Sequence, residues 1–234
     1  MIASMRNGWF CLVGIGVCVI FVGRALAGSH TWDVNEVFSN ADGTIQFIEL
    51  REPLCVGNEV GLPNHNITSL TLGNSFLIPP PSLTPPTCNK HVLIATPAFA
   101  ALPSAPTPDY ILPALTVPFF STGGDTIRYV PWDTFVFGAG ALPTDGVNSL
   151  NRDLSTGCNT PTNYAGQTGQ VNVGCTLLGD VDGSGTVDGN DVAAFVRAKL
   201  GTQLAGDAPA CAEYCTGTFA GDIAAFVATL LPTT

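Results

Sequence analysis

The chain has 234 residues and a formal charge of −10, with 18 acidic against 8 basic side chains, a balance that argues against nucleic acid and against anionic membrane surfaces as partners. Only 11% of residues are charged, while 26 Gly and 18 Pro punctuate the sequence. Such a composition excludes long helices and favours short strands joined by turns.

Residues 1–27 read as an export signal. A basic start at Arg6 leads into the apolar run from Trp9 to Val22, and the run closes on "RALAG", whose Ala25-x-Ala27 pattern suits cleavage after Ala27. A membrane anchor is the rival reading. Gly8, Gly14, Gly16 and Arg24 leave fewer than the roughly 18 uninterrupted apolar residues that a spanning helix needs. Cleavage would leave 207 residues, six of them basic, with a formal charge of −12; the expected location is secreted, extracellular or cell-surface, with no membrane span. Six cysteines remain in that chain. Disulfides are expected in an exported protein, and six cysteines allow about 15 connectivities. Local pairing is the expectation: Cys55 with Cys88, Cys158 with Cys175, and Cys211 with Cys215. For the last pair, cross-pairing to Cys175 stays open.

From Thr31 the pattern is strand after strand. "TWDVNEVF" (31–38) and "GTIQFIEL" (43–50) are rich in β-branched and aromatic residues, and the Asp-Gly signal between them predicts an antiparallel hairpin. Further strands are expected over 69–78, 90–96, 125–130 and 133–138, each bounded by Pro, Gly or Asn. The pieces "IPPPSLTPPT" (78–87) and "ALPSAPTPDYILPALTVP" (101–118) lack the donors for a sheet interior. Their interspersed Leu, Ile and Val predict that they lie against the sheets. Many short strands with turns between them indicate a β-sandwich or barrel.

The stretch "WDVNEVFSNADGTIQFIEL", followed by "GDTIRYV" and "LPTDGVNSLNR", resembles the lamin-tail domain family. The features that carry the resemblance are Asn35-Glu36-Val37, Phe47-Ile48-Glu49-Leu50, and Ser149, Leu150 and Arg152. It implies an immunoglobulin-like β-sandwich, over 28–157, with no catalytic set of its own; Glu49 is expected to be a structural or surface carboxylate. The Pro-rich insertion around 79–118 departs from the family pattern. Residues 158–178, rich in Gly, Thr and Asn, are expected to form an ordered linker braced by a disulfide.

At 179–195 the sequence reads "GDVDGSGTVDGNDVAAF". A 12-residue loop numbered from Asp180 places Asp180, Asp182, Ser184, Thr186, Asp188 and Asp191 at positions 1, 3, 5, 7, 9 and 12, with Gly185 at the sharp turn. Alternating oxygen ligands of this kind suit Ca2+, a hard cation. Asp in place of Glu at position 12 has a shorter reach, so the expected affinity is that of extracellular modules, about 10⁻⁴ to 10⁻³ M. A helix is predicted directly after the loop, with Val192, Phe195, Val196 and Leu200 on one face and Gly201 as its stop.

"NDVAAFVRAKL" recurs 31 residues later as "GDIAAFVATLL", an internal repeat whose loop has decayed. Asp180 maps onto Cys211, Asp182 onto Glu213, Ser184 onto Cys215 and Asp188 onto Phe219. Only Glu213 and Asp222 retain carboxylates there, and a Cys211 to Cys215 bridge is expected to replace the metal. A duplicated loop-helix unit over 179–234 without an incoming helix resembles the dockerin family, which implies a small α-helical EF-hand-like module and a cohesin-like protein partner. Where that family often carries hydroxyls at loop positions 10 and 11, this chain has Gly189 and Asn190, then Ala220 and Gly221.

The motifs G-x-S-x-G, H-E-x-x-H and G-x-G-x-x-G are absent from the sequence. The reading is therefore a secreted, non-catalytic protein in which a calcium-binding module serves docking or surface attachment of a β-sandwich. A component of a polysaccharide-degrading assembly and a carbohydrate hydrolase are the alternatives.

Overall fold

The hairpin expected at the start of the sandwich forms as β1 (Asp33–Ser39) and β2 (Gln46–Arg51), paired antiparallel from Asp33↔Arg51 to Ser39↔Gln46. Gly43, at φ +75°, makes the turn between them. This is a computed structural model, and it describes residues 28–55 and 58–231; the expected export segment, 1–27, lies outside the described residues.

The single strand expected over 69–78 is instead part of a second hairpin, β3 (Asn66–Ser69) and β4 (Ser75–Leu77). Ser69 ends its strand by donating its hydroxyl to Asp125 at 2.6 Å, Gly73 turns the chain at φ +71°, and the Asn74 side-chain amide donates to the Phe119 carbonyl at 2.9 Å. Apolar Leu70 and Leu72 had disguised this turn as strand; both are exposed.

The expected strands at 90–96, 125–130 and 133–138 appear as β5 (His91–Ala95), which is followed by the short helix α1 (Pro97–Ala100) and by β6 (Tyr110–Ile111), and as β7 (Asp125–Val130) and β8 (Asp133–Phe137). Two short strands, β9 (Asn148–Asn151) and β10 (Thr156–Cys158), complete the sheets. One sheet has the order β10-β9-β1-β2-β5-β6 and the other β4-β3-β7-β8. The described fold is mainly β; its longer helices, α2 (Asp191–Leu200) and α3 (Phe219–Leu230), come last.

Strict alternation in β7 and β8 turns Ile127, Tyr129, Phe135 and Phe137 inward. They meet Val37, Ile48, Leu50, Val92 and Ile94 of the six-stranded sheet in the main core. The Pro-rich segments do lie against it: Ile78 and Leu112 are fully buried and Leu83 packs alongside. Each such side chain contributes about 1.5–3 kcal/mol.

The other face of the six-stranded sheet is covered as well, which is why β2 is buried at nearly every position. Phe38, Phe47, Leu93, Phe99 and Val171 form a second core there. Val171 comes from the segment that follows β10. Asn159, fully buried, holds the two legs of that segment together: its side chain donates to the Val147 and Val171 carbonyls and accepts from Val171 N–H at 2.8 Å.

The disulfides are Cys55–Cys88, as expected, but Cys158–Cys215 and Cys175–Cys211 in place of the two remaining local pairs. Within the linker, Asn159 and not a cystine joins the two legs. Its cysteines instead staple both ends of the segment to the start of the second repeat. No described helix is long and apolar enough to cross a membrane.

Candidate metal loop and helix groove

The first loop is shaped by its own carboxylates. Asp180 accepts Ser184 N–H on one oxygen and Gly185 N–H on the other, both at 2.9 Å. Gly185 supplies the left-handed turn, at φ +88°, that the sequence register requires. Asp191, fully buried at the first turn of α2, accepts Val181 N–H (2.7 Å) and Asp182 N–H (3.0 Å) on one oxygen and Asp188 N–H (2.9 Å) on the other. It thereby closes the loop onto the positive end of the helix.

Carboxylate oxygens of Asp180, Asp182 and Asp191 lie within 4.8 Å of one another. Ser184 and Thr186 place their hydroxyls 3.2 Å apart, and Thr186 Oγ1 lies 3.4 Å from Asp188. The Ser184 hydroxyl and N–H hold the Asp182 carboxyl below the usual carboxylate range. The six residues chosen from the sequence thus form one loop, with the acids at positions 1, 3 and 12 brought closest. The donor set is all oxygen; one Asp191 oxygen is taken up by two backbone N–H groups, while its other oxygen and the Asp180 oxygen that accepts Gly185 N–H each take one and keep a lone pair. These residues fit a hard divalent cation.

The second repeat is built differently. Its surviving acids, Glu213 and Asp222, converge on Lys199 of α2, whose Nζ donates at 3.0 Å and 2.6 Å respectively. Burial works against the Lys199 charge, but the two carboxylates outweigh it and raise its pKa. Asp222 also accepts from the Thr216 N–H and hydroxyl. An ammonium thus stands between the two acids, where the sequence had suggested a local cystine; Cys211 and Cys215 face other partners. Lys199→Met should lower the stability of the helical segment by about 1 kcal/mol and raise the Asp222 pKa. An unchanged pKa, followed by NMR, would show that the contact carries no weight.

A third ion pair closes the C-terminal end of α2. Arg197 binds Asp207 through two bonds, of 2.8 and 2.6 Å, and holds its pKa at about 2. Because this value is below the unfolded reference of about 3.9, the stabilisation is present above that pH and is lost as pH falls towards 2. An acid titration of the helix signal should lose that portion in Asp207→Asn. Coincident profiles would mean that the pair contributes nothing.

α2 and α3 meet through Phe195 and Phe226, stacked with ring centroids 4.1 Å apart. The apolar face expected on α2 is only partly covered. Phe195 is buried, but Val192, Val196 and Leu200 are exposed and face Phe219, Ile223 and Val227 across an open apolar groove.

The residues behind the sandwich resemblance make one structural constellation. Asn35 donates to Glu49 at 2.7 Å, Ser149 donates to Glu36 at 2.6 Å, and Arg152 clamps Asp133 at 2.6 and 2.7 Å. Glu36 and Glu49 lie opposite one another across β1 and β2, each 1% exposed. The linker seals them, since Thr160 N–H and Thr162 N–H donate to Glu36 and Glu49 respectively. Burial pushes the Glu36 carboxyl upward. Glu49 is therefore structural and buried. No protein-family model, curated protein or solved structure matches the chain.

Proposed function

We propose that the chain is a secreted, non-catalytic protein in which a dockerin-like calcium module attaches an immunoglobulin-like, lamin-tail-type sandwich to a protein partner. The observation that carries this reading is the convergence of Asp180, Asp182 and Asp191 at the start of α2. Asp180, Asp182, Ser184, Thr186, Asp188 and Asp191 would hold the ion. Calcium would neutralise crowded carboxylates, so that part of its binding energy becomes folding energy for the helix pair.

The docking part of the reading is supported by the groove between α2 and α3, apolar in an otherwise strongly acidic chain. An exposed apolar stripe of this kind suits the apolar surface of a protein partner. The partner proposed is a cohesin-like protein or a cell-surface component. Recognition by paired hydroxyls is not supported: at Gly221 an added Cβ would lie 2.2 Å from Thr216 Oγ1, so no serine fits there without rearrangement. The alternative of a carbohydrate hydrolase draws nothing from Glu36 and Glu49, whose oxygens are taken up by the linker together with Ser149, Asn35 and His91.

Hydrogen exchange tests the reading. Amides of α2 and α3 should gain protection at millimolar calcium relative to chelator while those of β1 and β2 do not change. Equal exchange in both conditions would sink it.

A further inference from the structure

Glu59 is a buried carboxylate, 3% exposed, whose own backbone is held at both its N–H and its carbonyl. Its N–H donates to Thr87 Oγ1 at 3.0 Å, and its carbonyl accepts from Trp32 Nε1 at 2.7 Å. The side chain turns towards the first described residues: Oε2 accepts the His30 N–H at 2.8 Å. Oε1 is turned to Gly28. A Cβ built on Gly28 would fall 2.2 Å from that oxygen, so only glycine lets the carboxylate approach the backbone this closely. Gly28 is itself fixed, its carbonyl accepting Gly61 N–H at 2.9 Å.

A buried carboxylate is costly unless a cation meets it. Among the described residues the basic group within ion-pair distance of Glu59 is His30, whose Nδ1 lies 3.4 Å away and whose side chain is 57% exposed. That imidazole lies against Oε2, whereas Oε1 faces Gly28, and the "RALAG" motif names a cation for it. Cleavage after Ala27 makes Gly28 the first residue and turns its neutral amide into an α-ammonium with three donors. From standard backbone dimensions, the Gly28 nitrogen is within about 5 Å of Glu59 Oε1. That is the range in which opposite charges favour one another's ionised forms.

We infer that Glu59 is the receptor for the chain's own α-ammonium, and that removal of the export segment after Ala27 completes the sandwich by an ion pair the precursor lacks. The inference rests on the secretion reading and goes beyond it. Processing is then a stabilising step, and the residue after the cut is glycine because a side chain would displace the carboxylate.

The test uses the full secreted chain. Its N-terminal residue is read by mass spectrometry, and its α-amine is titrated by amine-reactive labelling at increasing pH. A terminus at Gly28 with an α-amine pKa raised above the ordinary value of about 7.7–8.0 is expected. N-terminal acetylation should lower the melting temperature of the sandwich by a few degrees, and in Glu59→Gln acetylation should have no such effect. A terminus elsewhere overturns the inference together with the assigned cleavage site. A terminus at Gly28 with an ordinary or lowered amine pKa overturns the inference alone, and does so without any variant having to fold.

Discussion

Replacing Cys158, Cys175, Cys211 and Cys215 together by serine should unfold α2 and α3 in the absence of calcium and leave the sandwich folded. The two bridges close chain separations of 57 and 36 residues. In the chain-entropy estimate each restricts the unfolded state by about 4 kcal/mol, although the nested loops make the two values less than additive. The helical segment has little to set against that loss, because its core is a cluster around Val181, Ala194, Phe195, Ala212 and Phe226. Units of this size usually need such staples. Far-ultraviolet circular dichroism in chelator would follow the helix signal. The Cys55→Ser, Cys88→Ser pair serves as control, since that bridge lies within the sandwich. Retention of the full helix signal in the fourfold variant would show that the helices fold without their tethers.

The second large effect is expected at Asp191. Asp191→Ala removes the acceptor of three backbone N–H groups, those of Val181, Asp182 and Asp188. Leaving them unpaired around a fully buried position should cost about 3 kcal/mol even without metal. Asp188, by contrast, is exposed and accepts from Asn190 N–H alone among backbone donors. Asp188→Ala should cost less than about 1 kcal/mol in chelator. Denaturant unfolding of both variants in chelator separates the roles. Equal costs would mean that Asp191 does not organise the loop.

What could be read in advance follows from the range over which each signal acts. The first hairpin was legible because alternation and an Asp-Gly turn are both local, and the loop register was legible because coordination chemistry fixes its spacing. The same local reading failed at Leu70 to Asn74, where apolar residues hide a turn whose cause, Asp125 and the Phe119 carbonyl, lies about 50 residues away. β9 and β10 are too short to show a period, although Ser149, Leu150 and Arg152 had been singled out through the resemblance. Cystine connectivity was beyond reach for a similar reason. Cys211 and Cys215 are near in sequence, but Gly179 N–H bonding to the Cys211 carbonyl draws the second repeat across the first and towards the linker. The role of Lys199 was hidden too. As a residue near a helix C-terminus it already had an adequate local reason to be basic.

The most direct measurement is a calorimetric titration of calcium into the purified chain, with the helix signal followed in parallel. One site per chain is expected, in the range of about 10⁻⁴ to 10⁻³ M, with helix content rising on binding and both effects lost in Asp180→Ala. The second repeat is expected to add no site, since Lys199 stands between Glu213 and Asp222. No heat and no change in helix content would contradict the account and leave the acidic loop as a solvated turn closed by its own hydrogen bonds.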